Sequence, residues 1–157
     1  MLREAAMNVK TILAAKQRNS ERNLGGDIIS IEPTADLAAA AKLLSTHRIG
    51  AVVIRGAGGR LAGILSERDI VRALSEKGAA ALDLPVGQVM TRSVATCSEE
   101  DSAASIMERM TTGKFRHMPV VADGNLVGLI SIGDVVKHRV EEIESESEAM
   151  RDYIRTA

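Results

Sequence analysis

Apolar positions along the chain form a short series that occurs twice. The first copy reads Leu37, Ala40, Ala41, Leu44, and the second Ala103, Ile106, Met107, Met110. Both follow the i, i+3, i+4, i+7 spacing that gathers side chains on one face of an α-helix. Each stands behind a good helix-capping residue, Asp36 and then Ser102. A short β-rich run follows each predicted helix, Ala51 to Ile54 and Met118 to Val121. The runs meet turns at Gly56-Ala57-Gly58-Gly59 and at Asp123-Gly124, and Asp-Gly between apolar runs is a strong hairpin signal. The returning strands are Leu61 to Leu65 and Leu126 to Ile130, and closing helices begin near Ile70 and Val135.

The copies lie 66 positions apart before the hairpin turn (Ile31 to Cys97) and 65 after it (Ser66 to Ser131), because the second turn is one residue shorter. First strands are expected around Ile31 and Cys97. Short helical pieces lead in at Val9 to Leu13 and Val86 to Met90, with Pro85 where a helix can begin. The expected organisation is a leading helix and loop (1–27), a first repeat (28–77), a linker (78–85), a second repeat (86–140) and a helical tail (141–157). The polar stretch Gln17 to Gly26 reads as a solvated loop. In the tail Val136, Val140, Ile143, Met150 and Ile154 form a stripe broken at Ser147, and the acidic run Glu141 to Glu146 reads as a solvated face. A unit of about 55 residues buries too little to stand comfortably alone. The expected fold is therefore α/β of the α+β kind, two β-α-β-β-α repeats packed with pseudo-two-fold symmetry into one module.

Composition narrows the function. Apolar residues make up 45% of the 157, but Phe115 and Tyr153 are the only aromatics, so the core must be aliphatic. A net charge of −1 gives no basic face for nucleic acid and none for a membrane surface. No apolar run approaches the ~18 residues needed to span a bilayer. On the N-terminal segment Leu2, Ala5, Ala6, Val9, Ile12 and Leu13 share a helical face, and Glu4 argues against a signal peptide. The expectation is a soluble cytoplasmic protein. Cys97 has no disulfide partner and reads as a small core residue; His47, His117 and His138 lack metal-ligand spacing, so no metal site is expected.

The segments Gly63-Ile64-Leu65-Ser66-Glu67-Arg68-Asp69 and Gly128-Leu129-Ile130-Ser131-Ile132-Gly133-Asp134 share one pattern: Gly, two apolar residues, Ser, two variable residues, Asp. With Phe115-Arg116-His117-Met118-Pro119-Val120-Val121 they resemble the CBS domain family, named from cystathionine β-synthase. The resemblance spans about Val9 to Tyr153. It implies a tandem pair forming one globular module, often dimerised into a flat disc of four repeats. It also implies an adenine nucleotide (AMP, ADP, ATP, sometimes NADH or S-adenosylmethionine) in the cleft between repeats, and control of an enzyme or transporter.

The residues can be read without the family. Ser66 with Asp69, and Ser131 with Asp134, can be capping boxes in which serine caps the helix and the acid reaches back to a free N–H. The same helix N-termini can attract phosphate, the hydroxyl can donate to a phosphate oxygen, and a carboxylate suits ribose hydroxyls. For the adenine, Ile29, Ser30, Ile31, Gly50 and Ala51 are candidates in the first copy; Ala95, Thr96, Cys97, His117 and Pro119 are candidates in the second. Simple core is the competing reading of their apolar members. For the phosphate, Arg68, Lys114, Arg116 and His117 are candidates, with His47 and Arg48 near the corresponding segment. Arg68 adds a charge that can pair bidentately with phosphate, whereas Gly133 lets a ligand approach the backbone.

The expected function is an adenine-nucleotide-binding regulatory module, AMP foremost, that signals to a regulated partner protein. The alternative is a structural dimerisation module with empty clefts. No nucleophile, acid–base pair or metal constellation points to an enzyme. A homodimer is expected through helical segments, because the stripes Val9, Ile12, Leu13 and Val136, Val140, Ile143 would otherwise lie on the surface.

Overall fold

The structure is a computed structural model that describes residues 8–20 and 28–156. The elements are α1 (Val9–Ser20), β1 (Ser30–Ile31), α2 (Leu37–His47), β2 (Ala51–Arg55), β3 (Leu61–Ser66), α3 (Glu67–Lys77), α4 (Val86–Val89), α5 (Ala103–Gly113), β4 (His117–Ala122), β5 (Asn125–Ser131) and α6 (Ile132–Thr156). Single 3-10 turns lie at Ala57–Gly59 and Gly78–Asp83. Both repeats thus take the β-α-β-β-α order, except that a lone bridge stands for the first strand of the second.

The described residues fall into two compact units: 28–95 with 123–127, and 8–20 with 96–122 and 128–156. In the first unit β1 runs parallel to β2, with Ser30 opposite Val53 and Ile31 opposite Ile54. Strand β2 runs antiparallel to β3, with Val52 opposite Leu65. Helix α2 forms where the periodicity places it. The Asp36 carboxylate accepts from the Ala39 N–H at 2.8 Å, and the helix stops at Arg48 in the left-handed region (φ 53°). Its apolar face, Leu37, Ala40 and Leu44, packs on Val52, Ile54, Leu65, Ile70 and Ala73. Each fully buried leucine, isoleucine or valine among them contributes about 1.5–3 kcal/mol.

In the second unit Ser102 caps α5 by accepting from the Ser105 N–H, and α5 ends at Lys114 with φ 57°, matching Arg48. Asp123 and Gly124 have φ 51° and 76°, the double positive φ of the type I′ turn that Asp-Gly favours. The first strand expected around Cys97 shrinks to one parallel bridge between Cys97 and Val120. The Cys97 N–H donates to the Pro119 carbonyl at 3.0 Å, and the Val121 N–H donates to the Cys97 carbonyl at 2.9 Å. The register equals that of Ile31 on Ile54. Upstream the chain curls, with the Val94 N–H on the Arg92 carbonyl, so the pairing does not extend.

Packing cuts across the expected segment boundaries. The piece leading into the second repeat belongs to the first unit. Pro85 bridges Asp36, the Val86 N–H donates to the Ala35 carbonyl at 2.7 Å, and Val86 is fully buried in that core. The piece leading into the first repeat belongs to the second unit, where Asn8 bridges Ser102 and the Val9 N–H donates to the Asp101 carbonyl at 2.9 Å. The stretch 78–85 is no free tether: Ala81 is fully buried, and the Leu84 carbonyl accepts from the Leu37 N–H at 2.9 Å.

Two expectations about the N-terminal segment change. Helix α1 runs on to Ser20, so residues 17–20 are helical; residues 21–26 of the expected loop, with Leu2, Ala5 and Ala6, lie outside the described residues. Val9, Ile12 and Leu13 are buried within the chain itself, so that stripe does not call for a second copy. The tail stripe, Val136, Val140, Ile143, Met150 and Ile154, is exposed.

Cys97 is buried, as a core residue should be. Burial foremost, with the Asp101 carboxylate adding and Arg109 opposing, pushes its thiol up to about 12. The thiolate is the reactive form. Cys97 is therefore expected to resist Ellman's reagent at pH 8 and to react only in denaturant. Prompt labelling of the native protein, read by absorbance, would contradict this placement.

Candidate functional site

The two serine–aspartate motifs adopt the same local geometry. Ser66 is the N-cap of α3: its Oγ accepts from the Asp69 N–H at 3.3 Å, and the Ser66 N–H donates to Asp69 Oδ2 at 2.9 Å. Ser131 Oγ accepts from the Asp134 N–H at 3.1 Å, and the Ser131 N–H donates to Asp134 Oδ2 at 2.9 Å. Both are closed capping boxes, so the local-structure reading of these pairs holds in each repeat. The next backbone bond is also shared. The Glu67 N–H donates to the Gly50 carbonyl at 3.0 Å, and the Ile132 N–H donates to the Arg116 carbonyl at 2.8 Å. Gly50 and Arg116 are thereby fixed beside the helix starts.

The glycine that opens each motif has a packing cause. A Cβ on Gly63 would lie 2.7 Å from both Met90 Sδ and the Thr91 carbonyl oxygen; a Cβ on Gly128 would lie 2.6 Å from Leu13 Cδ2. Each leading segment crosses directly over this glycine.

The carboxylates differ in their surroundings. Asp69 has 7% of its side chain exposed, with the Thr91 hydroxyl donating to Oδ1 at 3.5 Å and Arg72 at 3.8 Å. Asp134 is 26% exposed and meets Lys16 Nζ at 2.9 Å, on the same Oδ2 that takes the Ser131 N–H. Lys16 also donates to the Leu129 carbonyl at 2.8 Å. Burial pushes the Asp134 carboxyl up, but Lys16 and the Ser131 hydrogen bonds outweigh it and hold the group below its ordinary 3.8.

Gly133, second in α6, is exposed, and a Cβ there would meet only Ser131 Oγ at an ordinary 3.6 Å. Among the described residues nothing requires glycine at that position. The neighbouring Ile132 and Asp134 N–H groups are taken, whereas the Gly133 N–H has no acceptor among the described residues. Its counterpart, 65 positions earlier, is the exposed Arg68.

The family model for the CBS domain matches residues 25–76 and 86–141. The chain belongs to the CBS domain family. A CBS-domain-containing protein from Agrobacterium tumefaciens, ATU1752, has a solved structure 41% identical in sequence, with a TM-score of 0.79 over 88% of this chain and 98% of that one. The CBS domain protein PAE2072 from Pyrobaculum aerophilum, solved in complex with AMP, is 27% identical, with a TM-score of 0.67 over 82% of this chain and 89% of that one. Among curated proteins, CBS domain-containing protein CBSX3, mitochondrial, from Arabidopsis thaliana is 35% identical over 120 residues, 74% of this chain. The chain spans 58% and 64% of the lengths of the first two curated relatives it matches. Compartment is therefore not carried over from these relatives, one of which is named as mitochondrial. Among the described residues no helix is long and apolar enough to cross a membrane, and no group of three His, Cys, Asp or Glu side chains could hold a metal.

Within each CBS repeat the candidate residues divide cleanly by unit. Ser30, Ile31, Gly50, Ala51, Ser66, Arg68 and Asp69 lie in the first; Thr96, Lys114, Arg116, His117, Pro119, Ser131, Gly133 and Asp134 lie in the second. Ser30 and Ile31 are half-buried on β1, and Ala51 is buried at the start of β2, opposite Ser66. In the second repeat the Thr96 carbonyl accepts from Arg109 at 2.7 Å, and buried Pro119 carries the carbonyl that receives Cys97. Lys114 and Arg116 are exposed and His117 is half-buried at the start of β4. A cavity of about 570 Å³ in the first unit is lined by Leu44, Arg48, Gly50, Glu67, Ile70 and Val71 among others. Of the candidates it holds Arg48 and Gly50, between α2 and α3, and neither Ser66 nor Asp69 lines it.

Sequence reasoning missed Lys16 and Thr91. Both reach motif aspartates from leading segments, Lys16 across 118 positions and Thr91 across 22. The only signal for them was the pair of leading helical pieces themselves.

Proposed function

We propose that this CBS pair is a regulatory, non-catalytic module that binds an adenine nucleotide, AMP foremost, and signals its occupancy to a partner protein. The observation that carries the reading is the start of α6: exposed Gly133, whose N–H has no acceptor among the described residues, none of which needs a glycine there. A helix N-terminus with a free N–H suits a phosphate oxygen, and a missing side chain lets it approach. Lys114 and Arg116 precede β4, and His117 opens it, in the same unit, and they supply cationic character. The Asp134 bonds to Ser131 and Lys16 end on Oδ2, which leaves Oδ1 to accept from ribose hydroxyls. Thr96 and Pro119 bring backbone groups to the adenine. The corresponding set of the first repeat, Ser30, Ile31, Gly50, Ala51, Ser66, Arg68 and Asp69, is the weaker site because Asp69 is nearly enclosed. AMP bound to the CBS protein from Pyrobaculum aerophilum supports the ligand class. ADP, ATP, NADH and S-adenosylmethionine share the adenosine and are the competitors. The module acts as a homodimer.

Thermal unfolding with millimolar AMP tests the reading. A ligand at 100 times its Kd adds about 2.7 kcal/mol, which for a chain of this length raises Tm by roughly 5–10 °C. Gly133→Ala separates ligand from fold. It is expected to leave unliganded stability unchanged or higher by up to about 1 kcal/mol, while AMP binds about tenfold more weakly. No shift with any of the five compounds would establish instead a structural module whose capping boxes serve the fold alone.

A further inference from the structure

We propose that α6 winds with α6 of a second copy into a parallel, in-register two-stranded coiled coil. Val136, Val140, Ile143, Ser147, Met150 and Ile154 follow one another at steps of 4, 3, 4, 3 and 4, the alternation of a heptad seam. Val140, Ser147 and Ile154 then take the a positions, and Val136, Ile143 and Met150 the d positions. The face that α6 gives to its own chain lies elsewhere: its buried residues are Val135 and His138, heptad positions c and f. The apolar seam residues are exposed, from 42% at Val136 to 66% at Ile154. From Ile143 to Thr156 every residue is exposed, and a helix of that length without packing is marginal in water. A covering partner supplies the missing packing.

Charge selects a second copy and its direction. In a parallel coil each g residue faces the e residue five positions on in the partner. Here that sets Arg139 against Glu144 of the partner subunit and Glu146 against Arg151 of the partner subunit, opposite charges in both cases. Within one chain Arg139 already meets Glu142 at 3.1 Å, and Glu144 of the partner subunit adds a second carboxylate. The fully overlapped antiparallel pairing is unfavourable: it sets Lys137 against Arg151 and Glu146 against itself. Antiparallel pairings slipped by a heptad recover opposite charges but place Ser147 on Val136 or Met150 and shorten the seam. The parallel register places Ser147 on its own copy, and β-branched residues at a favour two strands.

This inference rests on the homodimer reading and adds its contact and orientation. The test uses the full chain. Sedimentation at micromolar concentration is expected to show a dimer. Under mild oxidation Ser147→Cys is expected to form a covalent dimer, since facing a residues stand within the roughly 4.4–6.8 Å Cα separation a disulfide needs. Ser145→Cys, at the outward f position, and the wild type with its buried Cys97 are expected to stay uncrosslinked. Arg151→Glu is expected to weaken the dimer about tenfold, and Glu146→Arg combined with it to restore the affinity. A dimer in which Ser147→Cys does not crosslink, or Ser145→Cys crosslinks equally, overturns the coil and leaves the homodimer standing. An Arg151→Glu dimer of unchanged affinity overturns the register. A monomer overturns both readings.

Discussion

Gly63→Ala is expected to lower the unfolding free energy by about 2–3 kcal/mol, and Gly128→Ala by about 1 kcal/mol. The two glycines occupy the same place in the repeat, so composition and local conformation do not separate them. What separates them is the atom overhead. A Cβ at position 63 meets the Thr91 carbonyl oxygen at 2.7 Å, and that backbone is fixed by two bonds with Ile64, at 2.9 and 3.0 Å. Relief requires the chain after α4 to lift, loosening Val86 and Val89 from the core they pack on. A Cβ at position 128 meets the end of the Leu13 side chain, which can change rotamer. Urea unfolding checks this, with the midpoint moving at unchanged slope. Equal losses for the two variants would mean that the crossing segment yields as easily as a side chain.

Asp69→Ala is expected to cost about 2–3 kcal/mol, and Asp134→Ala somewhat less. Removing the Asp69 carboxylate leaves the Ser66 N–H without its acceptor at a nearly enclosed position; at Asp134, a quarter exposed, water replaces part of what is lost. The Lys16 partner is itself 42% exposed, so the ion pair contributes little beyond the hydrogen bonds. Acid has a defined sign here. The folded Asp134 carboxyl sits below its ordinary 3.8, so its contribution is complete above that pH and is lost as pH falls through the lower folded value. The stability gap between wild type and Asp134→Asn is therefore expected to be constant from pH 7 to about 5 and to close toward pH 2, read as Tm against pH. A gap that widens on acidification would contradict the placement of Lys16.

Much of the fold was legible because its signals are local. The four-residue apolar series, the caps Asp36 and Ser102, and the Asp123-Gly124 turn each act within a few positions, and each stands where periodicity puts it. The motif pairs were legible as capping boxes for the same reason. What failed depends on distant partners. Nothing near Cys97 announces that only one bridge forms there, since the limit is set by the turn at Arg92 to Val94. Nothing near Val9 announces that its stripe is already covered. Lys16 was not singled out because its acceptors lie more than a hundred positions away. The Gly133 N–H shows the converse: the sequence marked the glycine, and only the packing shows that no described residue makes a demand on it.

The crossed packing of the leading segments also sets a clock. Helix α1 is made early, yet Asp134, which holds Lys16, is made 118 residues later. At synthesis rates of about 5–20 residues per second, roughly 6–24 s pass between the two. Until residues 96–122 of the same unit are made, Val9, Ile12 and Leu13 have no core to enter, although Val9 and Ile12 are fully buried in the finished protein. The nascent chain therefore carries helix α1 in waiting while the first repeat assembles, and Lys16 finds its carboxylate only once the start of α6 has been made.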